Sequence, residues 1–451
     1  MTFEQTTFFG TDAPITGDSL AADRVALAAE AARINTVLDN LPPLPDRSPQ
    51  QAATASATKR EMWTLQDAFM RAHHDAVYTE LTDGLRTRPR LAELAANAAE
   101  VFPGLVPDRK HMAQEESRNQ ADKEGREVDQ AIFFSHLLRS SVAGTHLLDS
   151  MLQPTQRAKV LLPDFQREGA VELGSVMVER RGPAAHLTLC GHDRLNAEDN
   201  EQVDDMETAV DLALLDPEVR VGVLRGGPMS HPRYAGKRVF SAGINLKHLH
   251  AGRISFVDFL LRRELGYISK MHRGLLAGDK EVWRARTLDM PWVAAVDTFA
   301  IGGGTQLLLV CDRVIAEADS YISLPAAQEG IIPGVSNLRL GRATGSRMAR
   351  QVILGGRRIL AREKDAELLL DEVVDPDDMD TTVETAVSEL SVPAVAANRR
   401  MINIAEEPPE AFRAYMAEFA LQQGLRLYSK DVIAKVERSW SGTERSERVS
   451  P

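Results

Sequence analysis

The sequence predicts an α/β fold preceded by a helical N-terminal domain, and three observations carry the prediction. Up to about residue 170 the apolar residues recur at helical spacing, with no strand pattern. From Ser175 onward short strand-like runs alternate with helical stretches. After about residue 343 the chain reads as helical again. Strand and helix alternation is the mark of a layered unit built by crossovers.

The elements follow in order. Leu20, Leu27, Ile34, Leu38 and Leu41 fall on one helical stripe that stops at Pro42-Pro43. The small polar stretch from Asp46 to Thr58 reads as a loop or a disordered patch. Met62, Leu65, Phe69, His73, Val77, Leu81 and Leu85 mark a second helix, and Val128 to Leu152 a third. The charged run from Arg109 to Arg126 reads as a solvated helix face. Strands are expected at Ser175–Glu179, His186–Cys190, Arg220–Leu224, Trp292–Val296 and Arg313–Ala316. Between the second and third of these, Asn196 is expected to cap a helix whose stripe is Val203, Met206, Val210 and Leu214. The resulting division is 1–170 for the helical domain, 171–345 for the α/β core, and 346–451 for a helical C-terminal segment with a frayed tail.

With 451 residues the chain has room for two or three domains. Its 65 acidic against 53 basic residues give a net charge of −12, which argues against a general nucleic-acid binder. Two cysteines, Cys190 and Cys311, make neither a disulfide framework nor a four-cysteine zinc site, and they fit a reducing cytoplasm. The start MTFEQTTFFGTDAP lacks the features of a signal peptide, and no apolar run is long enough for a membrane span. A cytoplasmic location is the expectation.

Two glycine-containing turns hold the candidate chemistry. Phe240-Ser241-Ala242-Gly243-Ile244-Asn245-Leu246 follows the strand around Val221–Leu224, and Ala300-Ile301-Gly302-Gly303-Gly304-Thr305-Gln306 follows a strand and precedes an apolar run. Glycines leave backbone N–H groups unshielded, and a helix start adds unpaired N–H groups. If the two turns converge they form an oxyanion hole for an enolate or tetrahedral oxyanion. Taken alone, each turn is equally explained by tight helix–strand packing.

The ordered set is more telling. Arg194-Leu195-Asn196-Ala197, a helix, Leu224-Arg225-Gly226, Ser241-Ala242-Gly243, Ala300 to Gly304, Cys311-Asp312 and Gly330-Ile331-Ile332-Pro333-Gly334 come in one sequence order. This set resembles the crotonase (enoyl-CoA hydratase/isomerase) superfamily over roughly residues 175 to 345, with a helical continuation to about 435. The resemblance implies a crotonase-like ββα superhelix core and a CoA thioester substrate. It also implies an oxyanion hole made by the N–H groups of Ile244 and Gly303, and assembly into homo-oligomers built on trimers.

The departures narrow it. Hydratases of the superfamily hold one glutamate at the position of Gln306 and another just after a proline, where here Ala326 follows Pro325. Glutamine cannot take or deliver the proton of hydration, so simple hydration is not expected. The altered pocket and the long N-terminal extension resemble the cofactor-independent dioxygenases of glycopeptide antibiotic biosynthesis. Those enzymes convert 3,5-dihydroxyphenylacetyl-CoA and O2 to 3,5-dihydroxyphenylglyoxylate and CoA. The resemblance implies that Glu198 and Arg263 hold the ring hydroxyls, with Arg262 as the alternative arginine. It makes His192 and Ala242, Gly243, Ile244, Asn245 and Leu246 substrate contacts. Ile244, Gly303 and Gln306 fall at the reacting end, and Gly303 and Ile331 beside O2. No metal, flavin or haem is implied. Ile244, Ile301 and Ile331 are expected to make a dry pocket that protects a carbanion.

Two other functional classes remain open at this point: a crotonase-type thioester hydrolase or decarboxylase, and a non-catalytic scaffold. His73-His74-Asp75 and His248-Leu249-His250 are the metal-ligand candidates, and both read better as ordinary surface or pocket histidines. Cys190 and Cys311 read as buried structural thiols, and Arg399-Arg400 as solvated.

Overall fold

The computed structural model describes residues 15–276 and 287–435. The chain opens with helices Leu20–Asp39, Pro49–Leu81 and Leu91–Val101. Helices Glu127–Arg139, Ser141–Met151 and Gln156–Glu168 follow. The expected loop at 46–58 is mostly helix. Ser48 caps it reciprocally with Gln51, and Pro49 sits at the first helical position, where a missing N–H costs nothing. Small polar residues had masked that start signal. The expected helix Val128–Leu152 is two helices, broken at Ser140, whose hydroxyl accepts from Val142 and Ala143 N–H. The charged run is not simply solvated. Glu115 is buried and accepts from the backbone N–H groups of Glu124, Gly125 and Arg126, closing the chain on itself.

All five expected strands join one seven-stranded sheet. Its order is Ala170–Glu172, Val176–Arg181, Ala184–Leu189, Val221–Gly226, Trp292–Val296, Arg313–Glu317 and Glu372–Val374. The first three strands pair antiparallel and the rest parallel. A second sheet sets Tyr321–Ser323 between Phe299–Ile301, which is parallel to it, and Arg358–Leu360, which is antiparallel. Strands Arg358–Leu360 and Glu372–Val374 lie in the stretch expected to be helical; three residues each are too short for a period to show. Helices Met379–Leu390, Pro393–Glu406 and Pro409–Leu427 complete the described chain. The tail expected to fray lies outside the described residues.

Helix Asn200–Leu215 is where the Val203, Met206, Val210 and Leu214 stripe placed it, and all four residues are buried. Its cap is Asp199, which accepts from Gln202 N–H, and not Asn196. Asn196 takes a left-handed φ of 54° and binds two loops instead. Its side chain accepts from Gly191 N–H at 2.8 Å and donates to Val239 carbonyl at 2.7 Å.

One apolar core runs from Ile15 to Val432, through the N-terminal helices, the helix Asn200–Leu215 and the helix Pro409–Leu427. It is continuous across residue 170. Among the described residues no helix is long and apolar enough to cross a membrane.

Candidate active site

The two glycine turns converge. The strand Phe299–Ile301 delivers the second turn, and Ser241 bridges to Ala300 on that strand's free edge, with Ile301 N–H donating to Ser241 carbonyl at 2.9 Å. Gly243 has φ of 82°, and a Cβ there would lie 3.0 Å from Ile301 carbonyl oxygen and 3.4 Å from Gly303 nitrogen. Glycine is required by both conformation and space. On the other side Glu198 N–H donates to Gly243 carbonyl, and Asn245 N–H to Glu198 carbonyl. This ladder leaves the intervening Ile244 N–H unused. Gly303 opens the short helix Gly303–Leu308, so its N–H has no carbonyl one turn back. Among the described residues neither N–H donates to a protein acceptor.

Beside this pair lies a buried charged cluster centred on Arg263. Arg263 Nε donates to Glu198 Oε2 at 2.6 Å and Nη2 to Glu198 Oε1 at 3.1 Å. Nη2 also donates to Gly303 carbonyl at 2.8 Å, while Nη1 donates to Glu264 at 2.8 Å and to Gln306 Oε1. All five guanidinium N–H groups are thereby engaged. Burial works against the Arg263 charge, but Glu198 and Glu264 more than restore it. Because Arg263 claims the carbonyl oxygen of Gln306, the amide NH2 of Gln306 is turned away from it. Glu264 also accepts from Val335 N–H at 3.1 Å, tying the Gly330–Gly334 turn to the cluster.

Arg263 comes from an irregular segment. Phe256–Leu261 and Glu264–Ile268 are π-helical, and the wider turn rotates successive side chains away from ordinary helical positions. Arg262 points the other way, to Glu207 at 2.7 Å and Asp204 at 2.6 Å on the helix Asn200–Leu215. The choice between the two arginines is therefore made by the backbone.

A cavity opens on these groups. Glu198, Ala242, Gly243, Ile244, Arg263, Gly303, Gln306 and Ile331 line it together. Four sequence candidates do not. His192 is half-buried on a loop outside the cavity lining, its ring 2.7 Å from Pro228 carbonyl. Asn245 caps the helix Leu246–His250 by accepting from His248 N–H, and Leu246 packs on the core. Ile301 turns to an apolar group with Met229, Val239 and Phe299. Glu198 immediately precedes Asp199, the cap of the helix Asn200–Leu215.

Sequence reasoning missed Phe259, Glu264, Phe419 and Glu329, all of which line the cavity. Glu329 lies three residues after Ala326 on the short helix Ala326–Glu329, and both line the same cavity. That spacing was the available signal, because residues three apart share a helix face. Burial pushes the Glu329 carboxyl up to about 7, with no charged or hydrogen-bonding neighbour offsetting it.

The remaining candidates are structural. His73 pairs with buried Asp23 at 2.7 Å, and His248 with Asp199 at 3.2 Å. Cys190 and Cys311 are free, partly buried thiols, and Cys311 packs against the core. Arg399 is not solvated: it is buried and pairs with Asp312 at 2.7 Å, while Arg400 pairs with Asp289.

Two backbone N–H groups, those of Ile244 and Gly303, thus face one cavity without a protein acceptor among the described residues. The chain belongs to the enoyl-CoA hydratase/isomerase family, whose model matches residues 180–425. It is 58% identical to "(3,5-dihydroxyphenyl)acetyl-CoA 1,2-dioxygenase" of Amycolatopsis orientalis over 94% of this chain and 98% of that protein. It is 31% identical to the short-chain-enoyl-CoA hydratase of Clostridium acetobutylicum over 52% of this chain and 82% of that protein. An enoyl-CoA hydratase/isomerase structure from Xanthobacter autotrophicus is 25% identical, covering 61% of this chain and 96% of its own, with a TM-score of 0.49.

Proposed function

We propose that the chain is a dioxygenase that converts 3,5-dihydroxyphenylacetyl-CoA and O2 to 3,5-dihydroxyphenylglyoxylate and CoA. The observation that carries this is the 58% identity to a protein of that name along 94% of the chain. The likeness includes the N-terminal helices, whereas the hydratase relative aligns with 52% of the chain.

The geometry supports the chemistry step by step. The thioester carbonyl oxygen lies between the N–H groups of Ile244 and Gly303, which stabilise the enolate formed when an α-proton leaves. The electron-rich carbanion reduces O2, giving a peroxide at the α-carbon. The peroxide attacks the thioester carbonyl and expels CoA thiolate. Loss of the second α-proton with O–O cleavage leaves the ketone and carboxylate. Both oxygens of O2 enter the product, and no electron from elsewhere is needed. Ile244 and Ile331 give the cavity an apolar side for O2.

Glu198 is the group that meets the ring hydroxyls. Its two oxygens each accept from Arg263 yet keep a further lone pair, whereas Arg263 has no spare donor. Arg263 holds Glu198 and Gln306 in place, and Gln306 offers its NH2 to the reacting end.

The N-terminal helices serve to fix the cavity wall. Glu127 accepts from Phe256 N–H at 2.8 Å, at the start of the segment that carries Arg263. Helix Glu127–Arg139 packs on the helix that supplies Phe419. Assembly into a homo-oligomer is supported by Met401, Ile402 and Ile404, exposed together on the helix Pro393–Glu406. Light scattering tests it, and a monomer at micromolar concentration speaks against it.

The functional test is turnover of the purified protein, with a chelator present, under 18O2. Equimolar O2 uptake and CoA release are expected, with label in both the ketone and the carboxylate. No uptake, or activity that returns only with added iron, defeats the reading.

A further inference from the structure

Removing a proton from the α-carbon needs a base, and the residues that supply one in hydratases are replaced here by Gln306 and Ala326. Glutamine accepts no proton, and the Gln306 oxygen is in any case held by Arg263. Glu198 and Glu264, the other carboxylates that share the cavity with the oxyanion donors, are both paired with Arg263. A carboxylate clamped by a guanidinium is a poor base, since protonation must break the pair.

One carboxylate of the cavity wall is differently placed. Glu329 lines the cavity with Gly303, Gln306 and Ile331, and among the described residues its side chain has no hydrogen bond or ion pair. Its backbone position is well held. Gly330 closes the short helix in the left-handed region, and Arg426 donates to Gly330 carbonyl at 2.7 Å. We infer that Glu329 is the catalytic base that takes the α-proton of the arylacetyl thioester, one helical turn from the position where hydratases place their glutamate. The inference rests on the dioxygenase reading above.

In this step the α C–H bond breaks and its electron pair enters the enolate. The proton goes to a Glu329 oxygen, and the enolate oxygen is held by Ile244 and Gly303 N–H. The glyoxylate product carries no hydrogen on the former α-carbon, so two protons must leave. The first passes to the departing CoA thiolate, which returns Glu329 to the carboxylate form that takes the second. Burial keeps the group near neutrality, where a base is both ionised and strong enough to react. The charged groups that share the cavity wall with it are Glu198, Arg263 and Glu264. Behind Gly330 lie Arg426 and Lys435, and Asp431 faces both.

The test separates proton removal from oxidation. Without O2, in D2O, the enzyme should exchange the α-protons of 3,5-dihydroxyphenylacetyl-CoA for deuterium, read by mass spectrometry. Glu329→Gln should lose about 10²–10⁴-fold in exchange and in aerobic kcat. A loss smaller than about tenfold in exchange overturns the assignment, even if turnover falls; a larger one supports it. If the unaltered enzyme neither exchanges nor consumes O2 with this thioester, the substrate reading fails first and the assignment falls with it. If Glu329→Gln does not fold, the unaltered enzyme's exchange profile decides. A fall toward acid with a midpoint near pH 7 is expected, and a flat profile from pH 5.5 to 8 overturns it.

Discussion

Arg263 and Glu198 form a buried two-point pair, 2.6 and 3.1 Å between their polar atoms, against the carbonyl and Cα of Gly303. The pair thus ties Glu198 to the backbone at Gly303.

Replacing Arg263 should cost both stability and rate. Arg263→Ala leaves Glu198 and Glu264 buried without their partner, at about 3–5 kcal/mol. The midpoint of urea unfolding should fall accordingly. Arg263→Lys should rescue only part of the loss, because a single ammonium cannot reproduce the two-point fork.

Selectivity for the hydroxylated ring should run through Glu198. The unaltered enzyme should prefer the dihydroxy substrate over phenylacetyl-CoA by on the order of 10³-fold or more in kcat/KM, because without the hydroxyls the lone pairs that Glu198 keeps beside its Arg263 bonds are buried with no donor. Glu198→Gln should compress that ratio at least tenfold. An unchanged ratio would move ring recognition elsewhere.

Gly303 should tolerate no side chain. A Cβ there would lie 2.4 Å from Glu198 Oε2, so Gly303→Ala must displace the Glu198 carboxylate or its own N–H. Loss of one oxyanion donor is worth about 2.7–4 kcal/mol, so kcat should drop by about 10²–10³. Steady-state kinetics on a variant with unchanged circular dichroism would check this.

Restoring the hydratase glutamate should not restore hydration. In Gln306→Glu the new carboxylate meets the Arg263 guanidinium that now holds the glutamine oxygen. Arg263 would keep it ionised and unable to deliver a proton. Assay with crotonyl-CoA should show no hydration above background.

Acid stability should depend on Glu407. Burial pushes this carboxyl upward, but Arg339 and Arg273 outweigh it and bring it down to about 2. A lowered acid stabilises the fold above its unfolded pKa and loses that contribution as pH falls through the folded one. The contribution, on the order of 3 kcal/mol, should disappear between about pH 4.5 and 2. Glu407→Gln should flatten that part of the stability profile, while itself costing stability at pH 7.

The five expected strands and the helix Asn200–Leu215 were legible because each shows its own period within one element. The convergence of Gly243 with Gly303 was legible as a possibility, since glycines at two strand ends admit it and few other residues would. The sequence alone also determined what the pocket lacks, glutamates at 306 and 326, because identity at a position does not depend on packing. The tertiary structure decided the rest. It chose Arg263 over Arg262 through a π-helical backbone that no hydrophobic period encodes. It used up every donor of Arg263, a count that depends on residues 43 and 65 positions away. It brought Glu329 to the wall beside Gln306, and it joined the N-terminal helices to the C-terminal one through a single core. Local periodicity is carried by neighbours in the chain, whereas charge pairing and a carboxylate's surroundings are set by groups that meet only once the chain has folded.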